Sequence, residues 1–142
     1  MQMTGSECEF LSSLITGKNY LEIGAGKSTS WAANYAELLH SVECRKDWYK
    51  LVQKETAQQE NVTVFLFEPE AVAYTEEGEE IWCHGRHDYG TEEEFSSYIQ
   101  KIKKLVLENT YHVILVDGMV REELVYMLKE VAYKNIILVH DI

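Results

Sequence analysis

The sequence predicts an α/β fold, a mostly parallel sheet of about five strands with helices on both faces in three layers. Three observations predict it. Short apolar runs alternate with segments of helical period along the whole chain, and the first run ends in a glycine turn. Gly24, Glu43, Asp117, His140 and Asp141 all fall at the carboxyl ends of runs read as strands, where open parallel sheets bind their ligands.

Each element follows from local pattern. Ser6 to Ile15 carries Phe10, Leu11, Leu14 and Ile15 at helical spacing, with Gly17 as a stop. Tyr20 to Ile23 is the first strand. Ser28 to Leu38 reads as a helix with Trp31, Ala32, Tyr35 and Leu38 in one stripe, its start capped by Ser28 and Thr29. Ser41 to Glu43, closing the run from Leu39, is the second strand, and Asp47 to Gln59 is a helix capped by Asp47. The β-branched and aromatic run Val62 to Phe67 is the third strand. Glu68 to Gly90 has no clear period and reads as a long connection, a length usually tied to function. Thr91 with Glu94 forms a capping box for a helix whose buried face is Phe95, Tyr98, Ile99, Ile102, Leu105 and Val106. Val113 to Val116 is a strand, Glu122 to Ala132 a helix, and Ile136 to Val139 the last strand.

Length and charge narrow the function. The 142 residues suit one domain spanning 1–142, and no linker or repeat divides them. Pro69 is the only proline, and Glu76-Glu77-Gly78-Glu79-Glu80 reads as a solvated loop. Thirteen basic against twenty-four acidic residues give a net charge of −11, which disfavours a nucleic-acid partner, because such affinity comes from Lys and Arg releasing counterions. Small or neutral acceptors are favoured. No signal-like or membrane-length apolar segment is present, so no membrane partner is expected and the protein reads as soluble and cytoplasmic. Cys8, Cys44 and Cys83 lack metal-type spacing and read as reduced thiols.

Tyr20 to Thr29 carries the chemistry. An apolar strand runs into Gly24-Ala25-Gly26 and then a helix start, a cradle for a nucleotide cofactor. A P-loop is excluded, because its first glycine would fall on Leu21. A dinucleotide fingerprint would need a third glycine where Thr29 stands. The remaining reading is a resemblance. Leu21-Glu22-Ile23-Gly24-Ala25-Gly26 resembles motif I of the class I S-adenosylmethionine-dependent methyltransferases, with Ser41-Val42-Glu43 and Val116-Asp117-Gly118 following in that family's order. Glu43, nineteen residues beyond Gly24, stands where a carboxylate can accept both hydroxyls of a ribose, a geometry that would also serve NAD.

Within that superfamily the chain resembles small methyltransferase-like proteins, including some linked to polysaccharide or glycan modification. The likeness rests on Leu21 to Thr29, Ser41 to Glu43, Trp82-Cys83-His84-Gly85, Val116 to Arg121 and Val139-His140-Asp141. It implies a Rossmann-like fold, S-adenosylmethionine as methyl donor, S-adenosylhomocysteine as product, and a small-molecule or carbohydrate hydroxyl as acceptor. Glu22, Ile23, Gly24, Ala25, Gly26, Ser28 and Thr29 would cradle the methionine end. The family's last two strands have no counterpart before Ile142, which leaves the last strand as an exposed edge, so one of three things is expected: a truncated piece of a longer chain, a naturally minimal domain, or a homodimer that covers that edge.

Methyl transfer to a hydroxyl needs a base, and Asp117, His140 and Asp141 are the candidates. Asp117 could instead hold the amino group of the cofactor's methionine part. A divalent metal between Asp117 and Asp141 is not favoured, because Ile142 stands where the third ligand would be. Arg121, His84 and His87 are candidates for substrate contact, and Trp82 for stacking on adenine or a sugar. Trp31 and Trp48 read as packing residues. Two rival readings stay open: a cofactor-binding module without catalysis of its own, completed by a partner or second subunit, and an NAD-dependent oxidoreductase.

Overall fold

The computed structural model describes residues 3–70, 72–74, 77, 80–82 and 95–140. Five helices are described: α1 (Gly5–Ile15), α2 (Ser28–Ala32), α3 (Lys46–Glu55), α4 (Ser96–Glu108) and α5 (Arg121–Val131). The strands are β1 (Asn19–Ile23), β2 (Leu38–Glu43), β3 (Val62–Leu66), β4 (Val72–Tyr74), β5 (Glu80–Trp82), β6 (Val113–Val116) and β7 (Ile136–Val139). Five of them form one sheet in the order β3-β2-β1-β6-β7, and every pairing in it is parallel. The chain steps outward from β1 to β3 and then crosses back to β6. This reversal parts the connections at the carboxyl ends of β1 and β6.

Each face of the sheet has its own core. On one face α1 and α2 bury Leu11, Ile15, Ala32 and Ala33 against Tyr20, Leu39, Val113 and Leu115. On the other, α4 and α5 bury Tyr98, Ile102, Leu124 and Leu128 against Leu21, Ile23, Ile114 and Val116. β1 and β6 sit between both layers, which explains why nearly every residue in them is buried and their apolar runs are continuous. Each fully buried Leu or Ile contributes about 1.5–3 kcal/mol. α1 is started by a capping box: the Thr4 hydroxyl accepts the Glu7 amide at 3.2 Å while Glu7 accepts the Thr4 amide at 3.2 Å. Gly17, at φ +70°, turns the chain out of α1.

Four local expectations are corrected. The helix expected to reach Leu38 stops at Ala32, because tertiary bonds capture the segment behind it. Gly17 donates to the Tyr35 carbonyl at 3.0 Å and Glu37 to Lys18 at 2.9 Å. The Asn61 amide donates to the Ala33 and Ala36 carbonyls at 2.8 and 3.0 Å. Ser28 and Thr29 do not cap α2; Lys27 holds the cap position without a side-chain bond. Nor does Asp47 cap α3, which starts from Arg45, so that Asp47 lies inside the first turn and pairs with Arg45 at 3.0 Å. The long connection contains a two-stranded antiparallel sheet of β4 and β5, with Val72 opposite Trp82. Thr91 and Glu94, the expected capping box of α4, lie outside the described residues. Among the described residues no helix is long and apolar enough to cross a membrane.

Candidate functional site

The site begins with two glycines of different duty. Gly24 leaves β1 with its amide still bonded to the Val42 carbonyl at 2.8 Å and its φ at +105°. A Cβ there would lie 2.7 Å from the Asp117 carbonyl carbon and 2.9 Å from the Gly118 nitrogen, so only glycine lets the loop cross the end of β6 this closely. A Cβ on Gly26 would meet nothing within 4 Å. Gly26 faces a cavity of about 240 Å³ lined by Gly24, Ala25, Gly26, Lys27, Ser28, Trp48 and Asp117.

Glu22, Ile23 and Thr29 do not line this cavity; they are buried behind the loop that does. Ile23 is buried, and its carbonyl accepts the Asp117 amide at 2.8 Å. Glu22 is 1% exposed and receives hydrogen bonds from the hydroxyls of Thr29, of Ser41 at 2.8 Å and of Ser28 at 3.4 Å. Thr29 in turn accepts the Gly26 amide at 3.0 Å, so the buried carboxyl holds the glycine loop through one intermediary. Burial pushes the Glu22 carboxyl up to about 7, against the Thr29 and Ser41 hydrogen bonds and with the charge of Asp117 adding to the rise.

Glu43 ends β2 and is buried. Its Oε2 accepts the Cys44 amide at 2.9 Å and the Arg45 amide at 2.8 Å, tying the strand end to the start of α3. Burial raises its carboxyl, and those amides oppose the rise. Trp48 was read as packing, but it lines the cavity and its Nε1 donates to the Ala25 carbonyl at 2.6 Å. The available signal was its place in the first turn of the helix after an acid-ended strand, at the same end of the sheet as the glycine loop. Lys27 also lines the cavity and brings a cation to its rim.

Asp117 directly follows β6 and is the carboxylate of the cavity wall. Its Oδ1 lies 3.4 Å from His140 Nδ1 and 3.5 Å from an Arg121 terminal nitrogen. Burial raises this carboxyl above the usual range, and His140 and Arg121 pull it back. Arg121, expected to meet substrate, also donates through Nε to the Gly118 carbonyl at 3.0 Å and so braces the turn before α5. Val120 in that turn has φ +48° and ψ +49°, a left-handed conformation that is an outlier for a β-branched residue. His140 does not line the glycine-loop cavity. It lines a separate cavity of about 150 Å³ with Met3, Phe10 and Leu138, and its Nε2 lies 2.6 Å from Glu7 Oε2. Asp141, His84 and His87 lie outside the described residues, as do Cys83 and the Trp82 side chain. Among the described residues no group of three or more His, Cys, Asp or Glu could hold a metal ion.

A parallel sheet with helices on both faces, reversing its strand order beside a glycine-turn cavity, defines a Rossmann-like α/β protein. No protein-family profile matches the chain, and no curated protein sequence matches it. Solved structures do. A methyltransferase-like protein from Silicibacter pomeroyi superposes with a TM-score of 0.61 at 21% identity, over 89% of this chain and 65% of that one. Phosphoethanolamine N-methyltransferase 1 from Haemonchus contortus, solved with phosphoethanolamine and S-adenosylhomocysteine, superposes with a TM-score of 0.51 at 16% identity, over 91% of this chain and 22% of that one. At these identities the likeness is one of fold, and the chain spans less than two thirds of either protein's length.

Proposed function

We propose that the chain binds S-adenosylmethionine in the glycine-loop cavity and is a methyltransferase acting on a small-molecule or sugar hydroxyl. One observation carries the reading: Gly24 lies against the Asp117 backbone where β1 and β6 part, opening a cavity with one carboxylate in its wall. S-adenosylhomocysteine in the Haemonchus contortus enzyme supports the choice of cofactor.

When bound, S-adenosylmethionine supplies an electrophilic methyl group on a cationic sulfur. Asp117 would hold the ammonium of the methionine part, and Lys27 at the rim would meet its carboxylate. Glu43, buried at the end of the neighbouring strand and outside the cavity's lining, would take the ribose, and Trp48 would wall the cavity. This charge pattern suits a ligand with cationic groups better than a pyrophosphate. Thr29 disfavours a dinucleotide further, since its buried side chain, bonded to Glu22 and to the Gly26 amide, fills the place where a third glycine would allow close packing. The net charge of −11 favours a small acceptor over nucleic acid.

A second reading keeps one observation on its side. His140, the histidine among the candidate bases, turns its Nε2 to Glu7 and does not line the cavity, which favours a cofactor-binding module whose acceptor site is completed by another subunit. Calorimetric titration with S-adenosylmethionine, S-adenosylhomocysteine and NAD tests the cofactor. Saturable binding of the first two and none of NAD is expected, and NAD binding alone would overturn the reading. Once binding is established, methyl transfer across a panel of hydroxyl acceptors separates the enzyme from the module.

A further inference from the structure

We propose that Glu7 is a positioning residue for Asp117: acting through His140, it fixes the carboxylate that forms one wall of the glycine-loop cavity. The proposal deepens the assignment of that cavity to S-adenosylmethionine and rests on it for its effect on binding.

Glu7 has two duties and one oxygen for each. Oε1 accepts the Thr4 amide at 3.2 Å and completes the capping box of α1. Oε2, which the capping box does not use, lies 2.6 Å from His140 Nε2. A carboxylate can only accept, so Nε2 must donate to Glu7, and Nδ1, the atom turned to Asp117, holds that carboxylate only by carrying a hydrogen as well; the link is an imidazolium set between two carboxylates. The His140 amide donates to the Val116 carbonyl at 3.1 Å, which fixes the imidazole beside the end of β6. Nδ1 then stands 3.4 Å from Asp117 Oδ1, and the Arg121 guanidinium approaches the same oxygen at 3.5 Å. The His140 side chain is 11% exposed and that of Asp117 14%, so the contact is shielded from solvent. A line of three side chains therefore runs from the first turn of α1 to the cavity wall, and α1 becomes part of the site as well as a cover for the sheet.

Glu7→Gln separates the two duties. A glutamine keeps Oε1 for the Thr4 amide, and Gln serves a capping box as Glu does. Its amide group faces Nε2 with donor hydrogens and removes one of the two negative charges flanking the ring, so the imidazole must rotate away or give up a hydrogen, and either change alters what Asp117 meets. Thr4→Ala does the reverse, weakening the cap while leaving Glu7 Oε2 on His140.

The experiment follows the His140 ring nitrogens and the Asp117 carboxyl carbon by NMR in the wild type, Glu7→Gln and Thr4→Ala. S-adenosylmethionine affinity and melting temperature are measured on the same proteins. Glu7→Gln is expected to shift both sets of resonances and to weaken binding about tenfold, whereas Thr4→Ala lowers the melting temperature and leaves affinity within about twofold. The proposal is overturned if Glu7→Gln leaves the Asp117 carbon at its wild-type position. It is equally overturned if Thr4→Ala weakens binding as much as Glu7→Gln, since helix stability would then be the cause. Should Asp117 respond to Glu7→Gln while the wild type binds no S-adenosylmethionine, the positioning of Asp117 stands and the cofactor assignment falls.

Discussion

Gly24 and Gly26 stand two residues apart and carry opposite constraints. A side chain at Gly24 would meet the Asp117 and Gly118 backbone, neither of which can yield, and its φ of +105° is strained for any other residue. Gly24→Ala is expected to cost about 3 kcal/mol or more in urea unfolding. Gly26→Ala meets only open space, so it should unfold like the wild type and show its effect in cofactor affinity instead. Glu22 gives a pH prediction. Its folded carboxyl, pushed up to about 7, binds a proton more tightly than the unfolded one at an ordinary 4.5. Ionisation therefore works against the fold, and this contribution lowers stability as pH rises from the unfolded value to the folded one. Glu22→Gln removes that slope. Relative to wild type it should gain up to about 3 kcal/mol between pH 4 and pH 8, read from urea midpoints; equal pH profiles would contradict the burial argument.

At the scale of elements, local pattern located the strands of the parallel sheet and most helices but misjudged where tertiary bonds override it. The stripe Trp31, Ala32, Tyr35 and Leu38 has helical spacing, yet the chain leaves α2 after Ala32 because Gly17, Lys18 and Asn61 compete for its backbone. Those partners come from the α1–β1 and α3–β3 connections, so no window around α2 contains them. Asn61→Ala tests this account. Losing two hydrogen bonds to the carbonyls that end α2 is expected to cost about 1–3 kcal/mol in urea unfolding. A cost below about 0.5 kcal/mol would mean that the turn holds without them. The β4–β5 pair was illegible for a different reason: its strands are three residues each, too short for alternation to register.

For the whole molecule, the architecture was legible because a parallel sheet covered on both faces writes its strands as continuous apolar runs. The glycine loop was legible too, since backbone geometry at Gly24 admits one residue type. The wiring around it was not. Glu22 serves the loop from beneath, Trp48 joins it from α3, and Glu7 reaches His140 from the opposite end of the sequence. Each of these is a pairing of side chains that only the completed sheet brings together. The central claim is that the cofactor sits where β1 and β6 part, and titrating S-adenosylhomocysteine into the isotope-labelled protein tests it most directly. The account predicts that the Gly24, Gly26 and Lys27 amides and the Trp48 indole N–H shift together on saturation, while Asn19 and His112 at the far end of the sheet stay in place. Shifts centred on Asn19 and His112, or none at saturating ligand, would contradict it.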